Sequence, residues 1–235
     1  MLKKYEIIKQ IGRGAFSSVY LGKHKITGES VAIKIEKTDD ECTLRHESKI
    51  LLYLAGTSGV PIVRAFGVEK THRFLVMDFY EKSLSSPGAC VEKMRIFQEM
   101  IDIVKGIHAK LIIHRDIKPA NFMFRGGGDA LVLIDFGLAS VSQNASFCGG
   151  GERRISKNGI IGTPKYISPF LHEGYEANAQ DDFISVAYVA LYLWRNGELP
   201  WNHCGNNMAE IYREKCNIVW RDDEKHIEDF IKMHL

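Results

Sequence analysis

The hydrophobic pattern of this 235-residue chain changes from strand-like to helical after Ser86, and this order restricts the fold more than any other feature. Short apolar runs flanked by turn residues predict strands over Tyr5–Ile11, Ser18–Gly22, Val31–Ile35 and Arg73–Asp78. One amphipathic helix, Thr43–Leu54, is predicted among them. Strands followed by helices are typical of an α+β fold, so we expect a part built on strands and a mainly helical part after it.

The second part of the chain combines helical segments with one hairpin. Helical periodicity predicts helices over Val91–Ala109, Asp182–Trp194, Met208–Cys216 and Glu224–Leu235. The hairpin joins Phe122–Phe124 to Leu131–Ile134 through Gly126–Asp129. Ser140–Ile161 is polar and glycine-rich, which predicts a long surface loop. The helix over Asp182–Trp194 is apolar on nearly all sides, so we expect it to be buried at the centre of this part.

Composition narrows the functional classes. A formal net charge of +2 gives no ground for nucleic-acid binding. The five cysteines are dispersed and form no C-x-x-C pair, so we expect neither a disulfide framework nor a zinc site, and we expect a reducing compartment. The longest apolar run, Val186–Trp194, is shorter than the roughly 20 residues of a spanning helix. The charged start Met1–Lys9 has no signal-peptide pattern, so no membrane association is expected.

One polar run carries the chemistry: His114-Arg115-Asp116-Ile117-Lys118-Pro119-Ala120-Asn121, followed after the hairpin by Asp135-Phe136-Gly137. Asp116 can accept a proton from an attacking hydroxyl, and Lys118 can neutralise charge on a moving phosphoryl group. Asn121 and Asp135 offer the hard oxygen atoms that Mg²⁺ prefers. Each of these residues alone would fit an ordinary turn or cap. Together they predict phosphoryl transfer.

Two further motifs precede this run. Gly12 and Gly14 lie in a turn between the first two strands, where a missing Cβ lets backbone N–H groups approach phosphate oxygens. A plain hairpin uses the same residues, so this motif alone decides little. Lys34 ends an apolar strand, and we expect it to pair with Glu47 on the inward stripe of the next helix. The alternative is that Lys34 reaches solvent and Glu47 faces water.

In their order along the chain, these motifs resemble the protein kinase set: Gly12/Gly14, Val31-Ala32-Ile33-Lys34, Glu47, His114-Arg115-Asp116 with Asn121, and Asp135-Phe136-Gly137. Lys118 followed by Pro119 resembles the serine/threonine kinases more than the tyrosine kinases. A narrower similarity is to the casein kinase I family, and it is carried by Val31–Glu36, His46–Ile50, Lys118–Phe122, Asp181–Phe183 and Leu199–Trp201. The resemblance extends from Tyr5 to Asn217.

The resemblance implies ATP and Mg²⁺ as cofactors, and action in the cytoplasm or nucleus. Nucleotide contacts would come from Ile11, Gly12, Gly14, Val19, Lys34, Glu47, Met77, Asp78 and Phe79. Met77 would be the gatekeeper, and Asp78–Tyr80 would form the hinge that binds adenine. Asp116 and Lys118 would be catalytic, Asn121 and Asp135 would hold the metal, and Thr163 would contact Asp116. We expect these side chains to converge on one magnesium-loaded triphosphate.

The sequence departs from this family pattern at several places. Phe170 stands where most kinases have the glutamate that anchors this segment, a loss that casein kinase I shares. Ala179-Gln180 replaces two arginines, one of which helps to bind the phosphate of a primed substrate. The chain ends at Leu235, before the last helices of a usual large lobe, so we expect a shortened C-terminal lobe that a partner could cover.

A basic cluster has two interpretations. Arg153, Arg154, Lys157 and Lys165 could, with Arg115, bind a phosphate or another fixed anion. They could equally form the solvated face of a loop.

We expect a two-lobed α+β protein kinase fold. It would have a small N-terminal lobe over residues 1–77 built on an antiparallel sheet, a hinge over 78–84, and a mainly helical C-terminal lobe over 85–235. The expected reaction is transfer of the ATP γ-phosphoryl group to serine or threonine of protein substrates, with an acidic-directed preference, by a monomer. One alternative is a pseudokinase or scaffold that binds nucleotide or partners without turnover, and another is a small-molecule phosphotransferase. Lys34, Asp116, Asn121 and Asp135 are all present, which favours activity.

Overall fold

The structure is a computed structural model of the chain, and it describes residues 2–14, 17–38, 43–86, 92–126, 130–142, 153–157 and 159–235. The chain divides into two compact units. The first unit contains Met1–Glu81 and Met123–Gly137, and the second contains Lys82–Phe122 and Leu138–Leu235. The segment Met123–Gly137 therefore groups with the first unit, whereas the sequence analysis placed it in the lobe over residues 85–235.

The first unit is built on a five-stranded sheet. Its strands are β1 (Tyr5–Arg13), β2 (Ser17–His24), β3 (Ser30–Lys37), β4 (Val63–Glu69) and β5 (His72–Asp78). Their order in the sheet is β1-β2-β3-β5-β4, and each neighbouring pair is antiparallel. The predicted antiparallel sheet is confirmed, with strands one to three residues longer than the apolar runs suggested. Strand β4 was not predicted.

Alternation along β3 separates an apolar face from a charged one. Val31 and Ile33 pack with Phe74 and Val76 in the core of the sheet. Because successive side chains of a strand point to opposite faces, Lys34 lies on the other face. Helix α1 (Thr43–Tyr53) packs on that face, which places it beside the charged residues of β3.

Glu36 fastens the start of α1 to the sheet. Its side chain is inaccessible to solvent, and its Oε2 atom accepts hydrogen bonds from the Thr43 hydroxyl at 2.8 Å and the Leu44 backbone N–H at 2.9 Å. The Arg73 guanidinium donates to Oε1 at 3.2 Å. A carboxylate at a helix N-terminus satisfies backbone donors that have no partner within the helix. Glu36 therefore determines where α1 begins.

We expect Glu36→Ala to lower the free energy of unfolding by about 3 kcal/mol, because it removes the buried carboxylate that accepts the Leu44 N–H, the Thr43 hydroxyl and the Arg73 guanidinium. Urea unfolding of the purified protein measures the change. Lys37→Ala, an exposed position on the same strand, is the matched control and should change stability by less than about 0.5 kcal/mol. Equal stability of the two variants would contradict this role.

The second unit is mainly helical. It contains α2 (Lys93–His108), α3 (Pro169–His172), α4 (Ala179–Trp194), α5 (Met208–Cys216) and α6 (Lys225–Lys232). Helix α4 packs against both α2 and α6, and α3 packs against α5. From Ile184 to Leu191 every residue of α4 is buried, as its all-round apolar sequence predicted. Asn178 caps this helix and forms a capping box with Asp181.

Four short strands bracket the polar motifs. Strand β6 (Ile112–Ile113) pairs with β9 (Ser140–Val141), and β7 (Phe122–Arg125) pairs with β8 (Ala130–Leu133). The polar run from His114 to Asn121 thus begins directly after β6 and ends where β7 starts. Asp135 follows β8 by two residues. The predicted hairpin is confirmed, and the strands fix both ends of the polar run.

Some predictions fall wholly or partly outside the described residues. They are the middle of the glycine turn at residues 15–16, the start of a predicted helix at Val91, the hairpin turn at residues 127–129, residues 143–152 and 158 of the predicted loop, and the cysteines Cys42, Cys90 and Cys148. Within the described ranges, no helix is long and apolar enough to cross a membrane. The described cysteines Cys204 and Cys216 are both free thiols.

Candidate active site

Three charged side chains form a cluster in the first unit. The Lys34 ammonium donates to Glu47 Oε2 at 2.7 Å and to Asp135 Oδ1 at 2.8 Å. Lys34 comes from β3, Glu47 from the middle of α1, and Asp135 from the turn after β8. The predicted pairing of Lys34 with Glu47 is confirmed, and the alternative in which each faces solvent is wrong. Asp135, which also contacts Lys34, lies 101 residues after that lysine in the sequence.

The cluster keeps a largely buried ammonium charged. Burial alone would lower the pKa of Lys34, but the charges of Glu47 and Asp135 and their hydrogen bonds raise it above its ordinary value. The Lys34 side chain is 15% exposed and that of Glu47 is 2% exposed, whereas Asp135 is 43% exposed. Glu47 is thus the interior anchor of the lysine, and Asp135 is the acid with access to solvent.

In the turn between β1 and β2, none of the described residues packs closely against Gly12 or Gly14. Gly12 pairs with Val19 across the two strands, and the Gly14 N–H donates to the Ser17 carbonyl at 2.7 Å. A Cβ atom added at either glycine would meet its nearest neighbour at 3.6 Å, an ordinary contact. Packing therefore does not require glycine here. The absence of side chains fits the close approach of a phosphate, as the functional interpretation predicts.

The remaining predicted nucleotide contacts lie on the sheet. Met77 is buried near the end of β5 and pairs with Ala32 of β3. The Asp78 carboxylate accepts a hydrogen bond from Arg64 Nε at 2.6 Å, and the Asp78 N–H donates to the Ile62 carbonyl. Ile11 on β1 is 43% exposed. Phe79 follows β5 directly and is half-buried. Their roles towards a nucleotide stay predictions.

Asp116 is the centre of a second cluster, in the second unit. Its Oδ1 atom accepts a hydrogen bond from the Thr163 hydroxyl at 2.6 Å, and its Oδ2 atom accepts one from Lys118 Nζ at 2.5 Å. Lys118 Nζ also lies 3.3 Å from the Thr163 hydroxyl. The predicted contact between Thr163 and Asp116 is confirmed. These bonds fix both carboxylate oxygens. The residue is only 7% exposed, so both oxygens need such donors.

Asn121 is tied to the same loop. Its Nδ2 atom donates to the Asp116 carbonyl at 2.8 Å and lies 3.4 Å from Asp116 Oδ2. Because the amide nitrogen makes these bonds, the amide oxygen is directed away from Asp116. Asn121 and Asp135 therefore each present a hard oxygen atom, and this chemistry fits Mg²⁺. Within the described ranges, no group of three or more His, Cys, Asp or Glu residues forms a metal site of its own.

Asp182 holds the loop that precedes Asp116. Its two carboxylate oxygens accept the backbone N–H groups of His114 at 2.7 Å and Arg115 at 2.9 Å. His108 Nε2 lies 2.9 Å from Oδ2, so this nitrogen carries the proton. Burial alone would raise the pKa of Asp182, but the hydrogen bond and charge of His108 and the other donors lower it below its ordinary value.

The adjacent Asp181 holds a different segment. Its Oδ1 atom accepts a hydrogen bond from the Ser168 hydroxyl at 2.5 Å, and Arg153 donates to both carboxylate oxygens at 3.1 Å. The Arg153 guanidinium also lies 3.7 Å from the centre of the Phe170 ring. The charge of Arg153 is thus neutralised by Asp181. Arg153 binds this carboxylate in place of the phosphate or other anion that was one interpretation of the sequence.

The rest of the basic cluster divides as well. Arg154 and Lys157 are exposed, and Lys165 donates to the side-chain oxygen of Asn202 at 3.2 Å. Arg115 donates through Nε to the Leu138 carbonyl at 2.6 Å. Only part of the predicted cluster therefore has the character of a solvated face.

The structure thus assembles the predicted residues in two groups, Lys34 with Glu47 and Asp135, and Asp116 with Lys118, Asn121 and Thr163. Their convergence on one triphosphate stays a prediction. Sequence reasoning missed the roles of Glu36, Asp181 and Asp182. A signal existed for the last two, because Asp181 and Asp182 stand three and four residues after Asn178 in an otherwise apolar segment, and acids in such a helix are rarely buried without donors whose hydrogen bonds they accept.

We expect Asp182→Asn to lower the free energy of unfolding by about 3 kcal/mol at neutral pH, because one carboxylate oxygen is replaced by a donor that faces backbone N–H groups. The lowered pKa also predicts a pH dependence. The contribution of Asp182 is complete above its ordinary pKa of 3.8 and is lost as pH falls through the lower folded-state pKa.

Urea unfolding from about pH 7 to about pH 3 tests both statements. The Asp182→Asn variant should lose less stability than the wild type in the acid part of this range. Asp102→Asn, at an exposed position on α2, is the control and should follow the wild-type curve. An Asp182→Asn variant with wild-type stability and an unchanged acid profile would contradict the assignment.

Comparison with known proteins agrees with this geometry. The family model for the protein kinase domain matches residues 5–233. The chain is also 33% identical over 211 residues to a probable casein kinase I homolog of Encephalitozoon cuniculi (strain GB-M1), a match that covers 85% of this chain and 68% of that protein. The five-stranded antiparallel sheet and the helical second unit are those expected of a two-lobed protein kinase fold. The chain therefore belongs to the protein kinase family and, within it, to the casein kinase I group.

Proposed function

We propose that this protein transfers the γ-phosphoryl group of ATP to serine or threonine side chains of protein substrates. The observation that carries the proposal is the Asp116 carboxylate, which is held between Lys118 and Thr163 on the loop that also carries Asn121. A carboxylate in this position can orient a hydroxyl and accept its proton as the new bond to phosphorus forms. The casein kinase I name of the relative supports serine and threonine as acceptors.

The first unit supplies the groups for the nucleotide. Lys34 binds the α- and β-phosphates, and Glu47 keeps its ammonium in place from the buried side. The turn at Gly12 and Gly14 has no side chains at these two positions, which lets the phosphates approach its backbone, with Ile11 and Val19 on the adjoining strands and Met77, Asp78 and Phe79 towards the base. Asp135 and Asn121 hold Mg²⁺, which, when bound, neutralises charge on the phosphate oxygens.

The acceptor side of the reaction depends on Lys118 and Thr163. Lys118 places a positive charge beside Asp116, where it can neutralise charge on the phosphoryl group during transfer. Thr163 holds the other carboxylate oxygen, so Asp116 keeps one orientation while the hydroxyl approaches. Orientation of this kind accounts for a large part of catalysis in phosphoryl transfer, since the protein does little covalent chemistry.

The preference for acidic substrates is part of the proposal. Arg154 and Lys157 are exposed cations on the segment that leads to Thr163, and they can attract carboxylates of a substrate chain. Arg153 is neutralised by Asp181 and lies beside Gln180, the position where the family resemblance implies an arginine. We therefore favour acidic side chains over a phosphorylated residue as the recognised feature. The free thiols of the described cysteines, Cys204 and Cys216, support action in a reducing compartment such as the cytoplasm or nucleus. Action as a monomer is part of the same proposal.

We expect wild-type protein with magnesium and ATP to incorporate phosphate into serine or threonine of casein. Asp116→Asn should lower the rate by about 10²- to 10⁴-fold, because it removes the proton acceptor. Lys34→Met and Asp135→Asn should also abolish most transfer through loss of phosphate and metal contacts. Lys37→Met on the same strand as Lys34, and Asp102→Asn on α2, are matched controls and should keep wild-type rates.

The outcomes separate this proposal from its alternatives. Binding of ATP without transfer to casein or to any peptide would indicate a pseudokinase or scaffold. Transfer to aminoglycosides or sugars in place of peptides would indicate a small-molecule phosphotransferase. Full activity of Asp135→Asn would contradict the metal role of that residue, even if the protein phosphorylates casein.

We expect replacement of both Arg154 and Lys157 by alanine to lower kcat/KM for an acidic peptide by roughly threefold to tenfold, since each exposed charge pair contributes little in water. The same variant should treat a neutral peptide of equal length as the wild type does, and the difference should shrink with added salt. Alanine at Lys23 and Lys25, two exposed positions of the first unit, is the control. An equal loss for both peptides would argue against charge recognition.

A further inference from the structure

Lys215 is a buried lysine with an unusual set of partners. It lies on α5, and the residue is 5% exposed. Its Nζ atom donates to the carbonyl oxygens of Pro164 at 2.8 Å and Ile167 at 2.6 Å, and it lies 3.1 Å from His172 Nε2. An ammonium group has three donors, so these contacts use all of them.

The surroundings of this ammonium are aromatic and uncharged. Its Nζ atom lies 4.9 Å from the ring centre of Tyr188 and 5.3 Å from that of Trp201. Among the residues that the structure describes, no carboxylate forms an ion pair with Lys215. Burial lowers the pKa of Lys215 well below its ordinary value, while the ring faces and carbonyl dipoles favour the cation. Burying an ammonium group without a carboxylate costs free energy of folding. The role of Lys215 is therefore to be sought in the backbone segment that its hydrogen bonds hold.

The segment that Lys215 holds is the one that carries Thr163. The Thr163 carbonyl accepts the N–H groups of Tyr166 at 2.8 Å and Ile167 at 3.1 Å, so the backbone forms a tight turn. A second side chain also binds a carbonyl oxygen of this turn. Trp201 Nε1 donates to the Lys165 carbonyl at 2.9 Å, between the two carbonyls that Lys215 binds.

The same turn begins at the Asp116 cluster. Thr163 donates its hydroxyl to Asp116 at 2.6 Å, and Gly162 before it has φ +107°. A Cβ atom at Gly162 would lie 2.7 Å from the Arg115 carbonyl oxygen. The turn is therefore pressed against the loop that carries Asp116 at one end and is fixed to Lys215 at the other.

We propose that Lys215 is a positioning residue for phosphoryl transfer, which acts by binding the Pro164 and Ile167 carbonyls and so holding Thr163 against Asp116. The inference rests on the proposed function and adds a residue with no contact to the reacting groups. It also explains how the segment is anchored although Phe170 offers no carboxylate.

The test uses the whole chain with Lys215→Met, which keeps the length of the side chain and removes its three donors. We expect kcat for a serine peptide to fall by an amount on the order of 10²-fold, since small displacements of reacting groups have effects of this size. The dissociation constant for ATP should stay unchanged, which a loss of overall stability would not allow. Arg213→Met, an exposed position on α5, is the matched control and should keep both values.

A double-mutant cycle identifies the route of the effect. If Lys215 acts through Thr163, then Lys215→Met should lower kcat much less in a Thr163→Ala background than in the wild type. Additive losses would overturn the proposed route. If Lys215→Met fails to fold, Lys215→Gln, which keeps a donor to one carbonyl, replaces it in the same cycle and should give an intermediate loss.

Hydrogen exchange separates this inference from the proposed function. The N–H groups of Tyr166 and Ile167 should exchange faster in Lys215→Met than in the wild type, whether or not the protein phosphorylates anything. A wild type without transferase activity would defeat the proposed function, and faster exchange would still support the anchoring by Lys215. Unchanged exchange at these two residues together with a wild-type kcat would overturn the inference.

Discussion

The carboxylate of Asp182 is the constraint on which the catalytic loop depends. Arg115 has φ +69°, a backbone conformation that is costly for a residue with a side chain. Asp182 offsets this cost by accepting the N–H groups of His114 and Arg115 with its two oxygens. The acid lies in the first turn of α4, where unpaired backbone N–H groups favour negative charge. The most buried helix of the second unit therefore sets the position of Asp116.

The same helix turn also determines where the Thr163 segment lies. Asp181, next to Asp182, accepts the Ser168 hydroxyl and pairs with Arg153. Because the two acids are neighbours on a rigid helix, the loop before Asp116 and the segment after Thr163 are both bound to the first turn of α4. The hydrogen bond between Thr163 and Asp116 then joins two pieces of chain that are already fixed relative to each other. Loops without this common attachment to α4 would hold Thr163 and Asp116 less rigidly.

Local pattern was enough to predict most of the elements, and long-range contacts account for what it left out. Met208–Cys216 was predicted with its observed ends, and the pairing of Lys34 with Glu47 followed from two apolar stripes. Strand β4 was missed because Arg64, Gly67 and Glu69 interrupt its apolar residues, and its burial comes from β5 beside it. The role of Asp182 was not predicted, since its carboxylate oxygens accept backbone N–H groups that lie 67 and 68 residues away in sequence.

In the first unit, strand geometry sets the position of the charged cluster. Glu36 and Lys34 lie on the same face of β3, where two residues of strand span roughly 7 Å. Glu36 binds the N–H of Leu44 and Lys34 binds Glu47, three residues later along α1, a rise of about 4.5 Å. The long, flexible side chain of Lys34 takes up the difference. Helix α1 is thus held at two points, so a change in the register of β3 would move Glu47 away from Lys34 and leave a buried carboxylate unpaired.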